Sequence, residues 1–327
     1  MRMGEELVSA PSPVEGGVMV AVVTYRRNDD LEVLLPLLQA EARTITPAAD
    51  VLVVDNDPEA GARGVVARLG ADYRHEPVPG IAAARNLALD TAGEHRYLVF
   101  IDDDEHPEPG WLQALVATIA ATGAAAVAGA VVSEYEHPPD DWIAAGRFFQ
   151  RRRLPTGTPI TVAATNNIVL DLQQTGGLRF DLRLGLIGGS DSLFTRLLAR
   201  EAKAMAWCDE AVVVDRVPQS RLTREWVLRR AYRLGNSAVG VSLLMARSRT
   251  ERAQARVQGA ANGVLRIAGG VVRYLFGTVT RSLAHQARGA RTLSRGRGML
   301  AAAVGITYAE YQREASPRPR RLRRSAS

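Results

Sequence analysis

Short apolar runs that alternate with helical patterns constrain the fold of this chain more than any other feature. The runs lie at Val18–Thr24, Val51–Val54, Tyr97–Ile101 and Ala124–Val132. Each has the length of a buried strand, and apolar residues at helical spacing separate one run from the next. This alternation predicts an α/β fold, with helices flanking a sheet of mostly parallel strands.

Polar clusters follow three of these predicted strands. They are Thr24-Tyr25-Arg26, Asp55-Asn56-Asp57 and Asp102-Asp103-Asp104. Ligands of open α/β sheets bind along the edge formed by the carboxyl ends of the strands. Three polar clusters on one such edge predict a nucleotide site.

The acidic triplet Asp102–Asp104 is the sharpest of these signals. Mg²⁺ and Mn²⁺ prefer carboxylate oxygens together with the oxygens of a diphosphate, and adjacent carboxylates repel one another unless a cation is present. The alternative interpretation is a solvated acidic turn before a helix. The position of the triplet after the strand YLVFI, beside two other polar strand ends, favours the metal and diphosphate interpretation.

Two further positions have a functional and a structural interpretation. Asp55 can accept a hydrogen bond from a nucleobase or ribose, whereas the following Asn56-Asp57-Pro58 fits a structural turn. Arg85 and Asn86 lie one turn into a helix after Gly80. Arg85 can pair with the acidic triplet or with a phosphate, or it can be an ordinary surface residue.

The segment Gly188-Gly189-Ser190-Asp191 precedes another predicted helix. Ser190 or Asp191 can cap that helix. Asp191 can instead act as a general base, because sugar transfer to a hydroxyl needs a carboxylate to take the proton of the acceptor. The local sequence leaves both interpretations open.

The ordered series of motifs resembles the family 2 glycosyltransferases with the GT-A fold. The segments in question are VVTYRRND, VVDNDP, PGIAAARNLAL, YLVFIDDDEHPEPGWL and GGSDSLFTRL, within residues 18–236. The resemblance implies a Rossmann-like mixed sheet flanked by helices. It also implies an inverting transfer from a UDP-, dTDP- or GDP-sugar to a hydroxyl acceptor, with Mn²⁺ or Mg²⁺ as the cofactor.

Residue patterns and resemblance together assign roles to specific positions. The catalytic base is Asp191, and the nucleotide or donor contacts are Thr24, Tyr25, Arg26, Asp55, Arg85, Asn86, Asp102 and Asp103. The predicted metal ligands are Asp104, Asp102 and Asp215, and the predicted sugar contacts are Asn166, Asn167, Gly189 and Trp142. Two positions depart from the family pattern. Ser190 stands where a Glu usually precedes the base, and Asp215-Arg216 stands where a metal-binding His is often found.

The charge of the chain is divided between its two parts. Residues 1–220 have 19 Lys and Arg against 31 acids, a net charge of −12, whereas residues 221–327 have 22 Arg against 4 acids, a net charge of +18. Such asymmetry predicts an anionic partner for the basic part. The candidates are a membrane surface, nucleic acid and the acidic part itself. Aromatic residues are few, at 6 %, so base stacking is poorly served and we expect no nucleic-acid partner.

A repeating pattern in the basic part predicts an amphipathic helix over residues 252–295. Arginines recur at multiples of about seven residues, and valines and leucines fall on the opposite face. Glycines within the segment disfavour an isolated helix in water. A peripheral anchor on an anionic membrane fits the pattern. The alternative is that the apolar face packs on the catalytic domain or on a second copy in a homodimer. The arginines are Arg252, Arg266, Arg273, Arg281, Arg288 and Arg295, and the apolar residues are Val257, Val264, Val271, Leu275 and Val279.

Four segments follow from these patterns. They are a disordered lead at 1–17, a catalytic GT-A domain at 18–220, an amphipathic helical appendage at 221–315 and a disordered basic tail at 316–327. Cys208 is the only cysteine, which excludes internal disulfides and cysteine-rich zinc sites. The N-terminus has no apolar core of the kind that a signal peptide needs. We therefore expect a cytoplasmic enzyme, peripheral on the inner face of the cell membrane.

The function predicted from the sequence is glycosyl transfer in cell-surface polysaccharide or glycolipid synthesis, with an acceptor that can be lipid-linked. A sugar-phosphate nucleotidyltransferase is one alternative, but no Gly-rich loop follows the first strand and Lys203 is the only lysine. An inactive binding protein for membrane or nucleic acid is another. An NAD-binding Rossmann domain is excluded, because GxGxxG is absent after the first strand.

Overall fold

A computed structural model describes residues 15–175 and 177–308 of the chain. At the centre of these residues lies an eight-stranded mixed sheet with the strand order β3-β2-β1-β4-β7-β6-β8-β5. The strands are β1 (Val18–Thr24), β2 (Asp50–Asp55), β3 (Asp72–His75), β4 (Tyr97–Asp102), β5 (Glu105–Pro107), β6 (Ala126–Tyr135), β7 (Asn167–Asp171) and β8 (Met205–Val217).

Helices cover both faces of the sheet and continue beyond it at the C-terminal end. They are α1 (Asn28–Ala42), α2 (Arg63–Leu69), α3 (Ile81–Thr91), α4 (Trp111–Thr122), α5 (Asp141–Gly146), α6 (Leu172–Thr175), α7 (Ser190–Arg200), α8 (Arg224–Met245), α9 (Arg249–Val279) and α10 (Leu283–Ala303). Single 3₁₀ turns lie at Leu182–Leu184 and Gln219–Arg221.

The core consists of two apolar clusters, one on each face of the sheet. Leu34 of α1 and Trp111 of α4 belong to the first cluster, and both are fully buried. Ala84 of α3 and Phe194 of α7 belong to the second. Because both faces are covered, the central strands are apolar on both sides, and this is why they are continuous apolar runs in the sequence.

The strands β3, β2, β1 and β4 are parallel, as expected, and the others make the sheet mixed. β7 runs antiparallel to both of its neighbours, β4 and β6, and β5 runs antiparallel to β8. The expectation of mostly parallel strands is therefore met in the first half of the sheet. The GT-A-type mixed sheet flanked by helices, with helices at the C-terminal end, is confirmed.

The register of the parallel strands brings the polar strand ends together. Thr24 of β1 lies beside Asp55 of β2, and Val23 lies beside Asp102 of β4. The predicted common edge of polar residues is thus formed by neighbouring strands. The geometry of the candidate site depends on this edge.

The prediction of one arginine-striped helix over residues 252–295 is wrong. The segment folds into two helices, α9 and α10, with a turn at residues 280–282. Arg281 has a φ of 55°, in the left-handed region that ends a helix. The hydroxyl of Ser282 then caps α10 by accepting a hydrogen bond from the backbone N–H of His285. Heptad spacing of arginines continues across this turn, so the sequence pattern alone did not reveal it.

Glycines form the contact between α9 and α10. Gly263, Gly270 and Gly277 of α9 are buried. A Cβ at Gly270 would lie 2.6 Å from the backbone nitrogen of Leu293, so the two helices touch along their backbones. α10 also packs on α5, where Ala287 lies against Gly146. The glycines that disfavour an isolated helix are therefore the residues that join α9 to its neighbour.

The apolar face of α9 points away from the other described residues. The side chains of Leu265, Val272 and Val279 are 69 %, 68 % and 85 % exposed. The alternative in which this face packs on the catalytic domain is therefore wrong for α9. Among the described residues, no helix has the length and apolar character needed to cross a membrane.

The two predicted disordered ends fall mainly outside the described residues. Residues 1–14 of the lead and the whole of 316–327 lie there. The last part of the predicted lead is ordered instead. The carbonyls of Gly16 and Gly17 accept hydrogen bonds from the backbone N–H groups of Arg96 and Tyr97, at the start of β4.

Candidate active site

The guanidinium of Arg85 connects the acidic triplet with the predicted catalytic base. It donates to Asp191 Oδ1 at 2.6 Å and to Asp102 Oδ1 at 3.4 Å. Arg85 is only 3 % exposed, so the interpretation of a surface helix residue is wrong. Residues separated by more than a hundred positions in the chain, 85 and 191, therefore belong to one site.

Asp191 lies in the first turn of α7, and its carboxylate is oriented from several sides. Besides Arg85, the hydroxyl of Ser190 donates to Oδ1 at 3.1 Å and the backbone N–H of Thr165 donates to Oδ2 at 3.4 Å. The cap of α7 is Gly189, in the left-handed region, and no side chain caps the helix. Since neither Ser190 nor Asp191 serves as the cap, the carboxylate of Asp191 is available for chemistry.

The three aspartates of the triplet have different surroundings. Burial raises the pKa of Asp102 to about 7, against the opposing effect of Arg85. Burial also raises the pKa of Asp103 to about 6. Asp103 is almost enclosed and accepts from Thr24 Oγ1 at 2.8 Å and from Arg27 at 2.7 Å. Asp103 and Thr24 thus fix the edge from within, and Asp103 does not face the cleft as an open ligand.

Two arginines hold Asp104, the third member of the triplet. Its Oδ2 lies 2.9 Å from Arg27 and 3.0 Å from Arg221. Burial by itself would raise the pKa of Asp104, but Arg27 and Arg221 outweigh it and lower the pKa below its usual value. The lowered pKa favours the ionised carboxylate, which is the form that binds a divalent cation.

Glu105 and Asp215 lie opposite one another on β5 and β8. Glu105 is 2 % exposed, and its pKa is raised well above the usual value by burial and by the charge of Asp102. Asn166 donates to Glu105 Oε1, whereas Oε2 has no hydrogen-bond partner among the described residues. Asp215 is paired with Arg151 at 2.7 Å and lies 3.9 Å from Arg221.

The carboxylates of this edge fit a cation that is shared with a bound diphosphate. Within residues 15–175 and 177–308, no three His, Cys, Asp or Glu side chains form a group that could hold a metal ion alone. Mg²⁺ in nucleotide enzymes is usually bound by one or two carboxylates and completed by phosphate oxygens and water. Asp102 and Asp104 are suited to such a site. The carboxylate of Asp215 is instead engaged by two arginines, and its assignment as a ligand stays a prediction.

Asp55, at the end of β2, and Asp57, in the loop after it, have different surroundings. Asp55 is fully buried and accepts from the backbone N–H groups of Asp57 and Ala62 and from the Tyr73 hydroxyl. It therefore stabilises the loop after β2. Asp57 faces a cleft of about 590 Å³, where its carboxylate pairs with Arg26 at 3.1 Å.

Two residues assigned to ligand binding lie away from the site. The side-chain amide of Asn86 donates to the Phe180 carbonyl and accepts from the Phe180 N–H. Trp142 of α5 is 5 % exposed and stacks on Phe148 in an apolar cluster that includes Ala287 of α10. Both side chains are engaged by other parts of the chain, through contacts that the local sequence does not reveal.

The other predicted sugar contacts line or border a cavity of about 490 Å³ beside Asp191. Gly189 and Asn166 are part of its wall. Asn167 also lines it, but its amide donates to the carbonyls of Ala130 and Ala211 and accepts from the Trp111 indole. Asn167 thus joins three elements of the sheet domain. At the other end of the site, Arg26 is largely exposed, and Tyr25 is half-buried beside it.

Three arginines of the site were not predicted from the sequence. Arg27 and Arg221 pair with Asp104, and Arg151 pairs with Asp215. Arg27 follows the predicted contact Arg26 directly, and Arg221 lies in the segment PQSR after β8. Arg27 lies in VVTYRRND, one of the segments that carry the family resemblance, whereas Arg221 lies in none of them.

Comparison with known proteins identifies the family. Residues 19–174 match the family described as glycosyl transferase family 2. The chain is also 34 % identical over 228 residues to the succinoglycan biosynthesis protein ExoM of Rhizobium meliloti (strain 1021), a match that covers 67 % of this chain and 72 % of that protein.

Solved structures support the same fold. The mannosyltransferase PcManGT from Pyrobaculum calidifontis, solved with GDP-Man and Mn²⁺, is 20 % identical, with a TM-score of 0.56 over 88 % of this chain and 86 % of that chain. The GT-A likeness agrees with the mixed sheet and its polar edge. On the sequence match and the relative together, this chain belongs to glycosyltransferase family 2.

Proposed function

We propose that the enzyme transfers a sugar from a nucleoside diphosphate to an acceptor hydroxyl, with inversion at the anomeric carbon. The observation that carries the proposal is the contact of Arg85 with both Asp102 and Asp191. One guanidinium thereby fixes the distance between the carboxylate that faces the leaving diphosphate and the carboxylate that faces the acceptor. Orientation of this kind is a large part of catalysis in transfer reactions.

Asp191 acts as the general base. Its carboxylate takes the proton of the acceptor hydroxyl, while the acceptor oxygen forms a bond to the anomeric carbon. The bond from that carbon to the diphosphate breaks, and its electron pair leaves with the diphosphate. The Ser190 hydroxyl and the Thr165 N–H keep the carboxylate in place during the proton transfer.

Asp104 and Asp102 bind the donor diphosphate through Mn²⁺ or Mg²⁺. When bound, the cation supplies stabilisation of the charge that develops on the leaving diphosphate, worth several kcal/mol. The complex of the related fold with GDP-Man and Mn²⁺ supports this assignment. Asp215 is the proposed further ligand, and its carboxylate would bind the cation in place of its pairing with Arg151 and Arg221.

Arg27 and Arg221 follow the same reasoning. In the structure both pair with Asp104, the carboxylate that would hold the cation in the donor complex. The guanidiniums are then free to bind the diphosphate, which has the geometry that arginine recognises. We therefore assign both residues to the donor site, with Tyr25 and Arg26 near the nucleoside.

The donor assignment is tested by thermal unfolding of the full chain with UDP, dTDP or GDP, each with and without Mn²⁺. A nucleotide that binds only the folded state raises the melting temperature by mass action. One of the three should raise it with Mn²⁺, and D104N should abolish that increase. D72N is the matched control, since Asp72 is an exposed acid at the start of β3. An increase that D104N leaves intact would refute the metal assignment.

The related succinoglycan biosynthesis protein supports a role in cell-surface polysaccharide or glycolipid synthesis. We propose that the acceptor is lipid-linked and that the enzyme acts at the cytoplasmic face of a membrane. The basic helices support this location. Residues 249–303 contain ten arginines and one acidic residue, and each basic group near anionic lipid contributes on the order of 1 kcal/mol.

The outward face of α9 is the proposed contact with lipid. Its glycines pack on α10, and its apolar side chains, Leu265, Val272 and Val279 among them, face outwards. Arg266 and Arg273 lie on the glycine side, since they precede Gly270 and Gly277 by four residues each. The helix therefore presents an apolar face outwards and has arginines on the opposite side, an amphipathic arrangement that suits the interface of an anionic bilayer.

Vesicle binding tests the membrane contact. The full chain should bind vesicles of phosphatidylcholine mixed with phosphatidylglycerol, and V272E/V279E should weaken that binding by about tenfold or more. V33E is the matched control, because Val33 of α1 is 49 % exposed on the catalytic domain. If V272E/V279E instead converts a dimer to a monomer and wild type ignores the vesicles, a second copy covers the face and the membrane proposal fails.

A further inference from the structure

The cavity beside Asp191 carries an unusual concentration of positive charge. It has a volume of about 490 Å³ and lies between α7, the C-terminal helices and the segments around residues 151 and 164. Five arginines line it, and Asp191 is the only acidic residue of its wall. The arginines are Arg151, Arg152, Arg196, Arg233 and Arg295.

Few negative charges balance these guanidiniums. Among the described residues, no ion pair involves Arg152, Arg196 or Arg295, and Arg151 shares Asp215 with Arg221. The Nε of Arg151 is buried and has no hydrogen-bond partner within the described part of the chain. Several arginines that line one space with few counter-charges form a site for an anion with several oxygens.

A further arginine behind the wall adds to the same field. Burial and the nearby charges of Arg151, Arg233 and Arg221 together lower the pKa of Arg230 to about 10, against the opposing effect of Asp215. Burial and Arg266 likewise lower the pKa of Arg295. The positive charges of these arginines disfavour one another's protonated form, and an anion that binds between them offsets this repulsion.

We propose that this cavity binds a phosphate or diphosphate group of the acceptor and thereby holds the acceptor hydroxyl at Asp191. The inference rests on the proposed role of Asp191, since the cavity is an acceptor site only if Asp191 is the base. The donor diphosphate belongs to the other side of Asp191, at Asp102 and Asp104. The donor diphosphate thus binds at the acidic edge together with a cation, and the phosphate group of the acceptor binds among the arginines without a cation.

A phosphate group fits the cavity better than a carboxylate. Five arginines from four parts of the chain line one space, and a guanidinium can donate two parallel hydrogen bonds to a phosphate. A carboxylate has a single charge and two oxygens, so most of these donors would stay unsatisfied. The phosphate group itself is not changed by the reaction, because it serves only to place the hydroxyl.

Calorimetric titration of the full chain with inorganic diphosphate, without metal, tests the proposal. Wild type should bind it, and R152M, R196M and R233M should each weaken binding by about tenfold or more. R252M is the matched control, since Arg252 is exposed on α9 outside the cavity. Glucuronate is the second probe and should bind more weakly than diphosphate.

The outcomes separate this proposal from the donor assignment. Diphosphate binding that stays unchanged in all three cavity variants would overturn the acceptor-site proposal. Diphosphate binding that is lost in R27M alone would also overturn it, because that result reports binding at the acidic edge. Tighter binding of glucuronate would overturn the phosphate assignment. The cavity variants should retain Mn²⁺-dependent nucleotide binding, and D104N should retain diphosphate binding. Failure of nucleotide binding in wild type would therefore count against the donor site alone.

Discussion

Apolar side chains are buried in the sheet domain, whereas those of helix α9 are exposed. In α1, Leu31, Leu34 and Leu38 face the sheet and are fully buried. In α9, Leu265, Val272 and Val279 face outwards and are more than half exposed. Both helices have apolar residues at helical spacing. The spacing therefore identifies an apolar face, but it does not say whether the protein itself or an outside partner covers that face.

Glycine explains why α9 is oriented with its apolar face outwards. The face that packs on α10 has glycines at positions 263, 270 and 277, which allow the backbones to touch. Close backbone contact buries little apolar side-chain area, so the larger side chains remain available to a partner. The sheet domain is stabilised by apolar burial, and the α9–α10 pair by close fit.

Alanine substitutions of an inward-facing and of an outward-facing leucine should give the largest difference in the free energy of unfolding. L34A should lower the free energy of unfolding by roughly 2–5 kcal/mol, because it leaves a cavity in a packed cluster. L265A should change it by less than about 0.5 kcal/mol, because the side chain is largely exposed. Urea unfolding in the absence of lipid measures both. Equal losses would mean that α9 buries its apolar face after all.

Two adjacent glycines test the close fit of α9 on α10. G270A should cost about 1–3 kcal/mol, because the new methyl group would lie 2.6 Å from the backbone nitrogen of Leu293. G269A is its control, since that position faces open space. It should stabilise the protein by roughly 0.5–1 kcal/mol through helix propensity. A neutral G270A would show that the helices are further apart than described.

Glu105 is a buried acid of the sheet domain that has no ion pair among the described residues. Its folded pKa is raised above the usual value of 4.5, so the folded state binds the proton more tightly than the unfolded state. Stability from this group is full below the unfolded pKa and falls as pH rises towards the folded pKa. E105Q should therefore be more stable than wild type at pH 8, by about 1 kcal/mol.

Urea unfolding of E105Q and of wild type, from about pH 5 to about pH 8, measures this difference in stability. The difference should be small at the acidic end and should grow with pH. E136Q serves as the control, because Glu136 is exposed. A wild type that gains stability over E105Q as pH rises would contradict the raised pKa.

Much of the sheet domain was predictable from local patterns. Val18–Thr24 is a strand with the predicted bounds, and the polar ends Asp55 and Asp102 lie at a common edge. Buried parallel strands produce continuous apolar runs, and the rule for strand ends then locates the edge. These inferences need only residues that are close in sequence.

The parts that could not be predicted depend on distant residues. Nothing near Asp104 indicates that Arg221 pairs with it across 117 positions. Trp142 looked like a sugar contact, but α10 comes from the end of the chain to cover it. The turn at Arg281 was hidden because the arginine spacing continues through it. In each case a tertiary contact decided the role of a residue whose local sequence allowed several.

The transfer reaction of D191N tests the central claim most directly. The measurement is release of nucleoside diphosphate from the sugar donor whose nucleotide binds, with a membrane lipid extract as the source of acceptor. The proposed base predicts that D191N loses roughly 10²–10⁴-fold in turnover, while its Mn²⁺-dependent nucleotide binding and the turnover of D72N stay as in wild type. A D191N enzyme with full turnover would contradict the assignment of Asp191 as the base and, with it, the proposed mechanism.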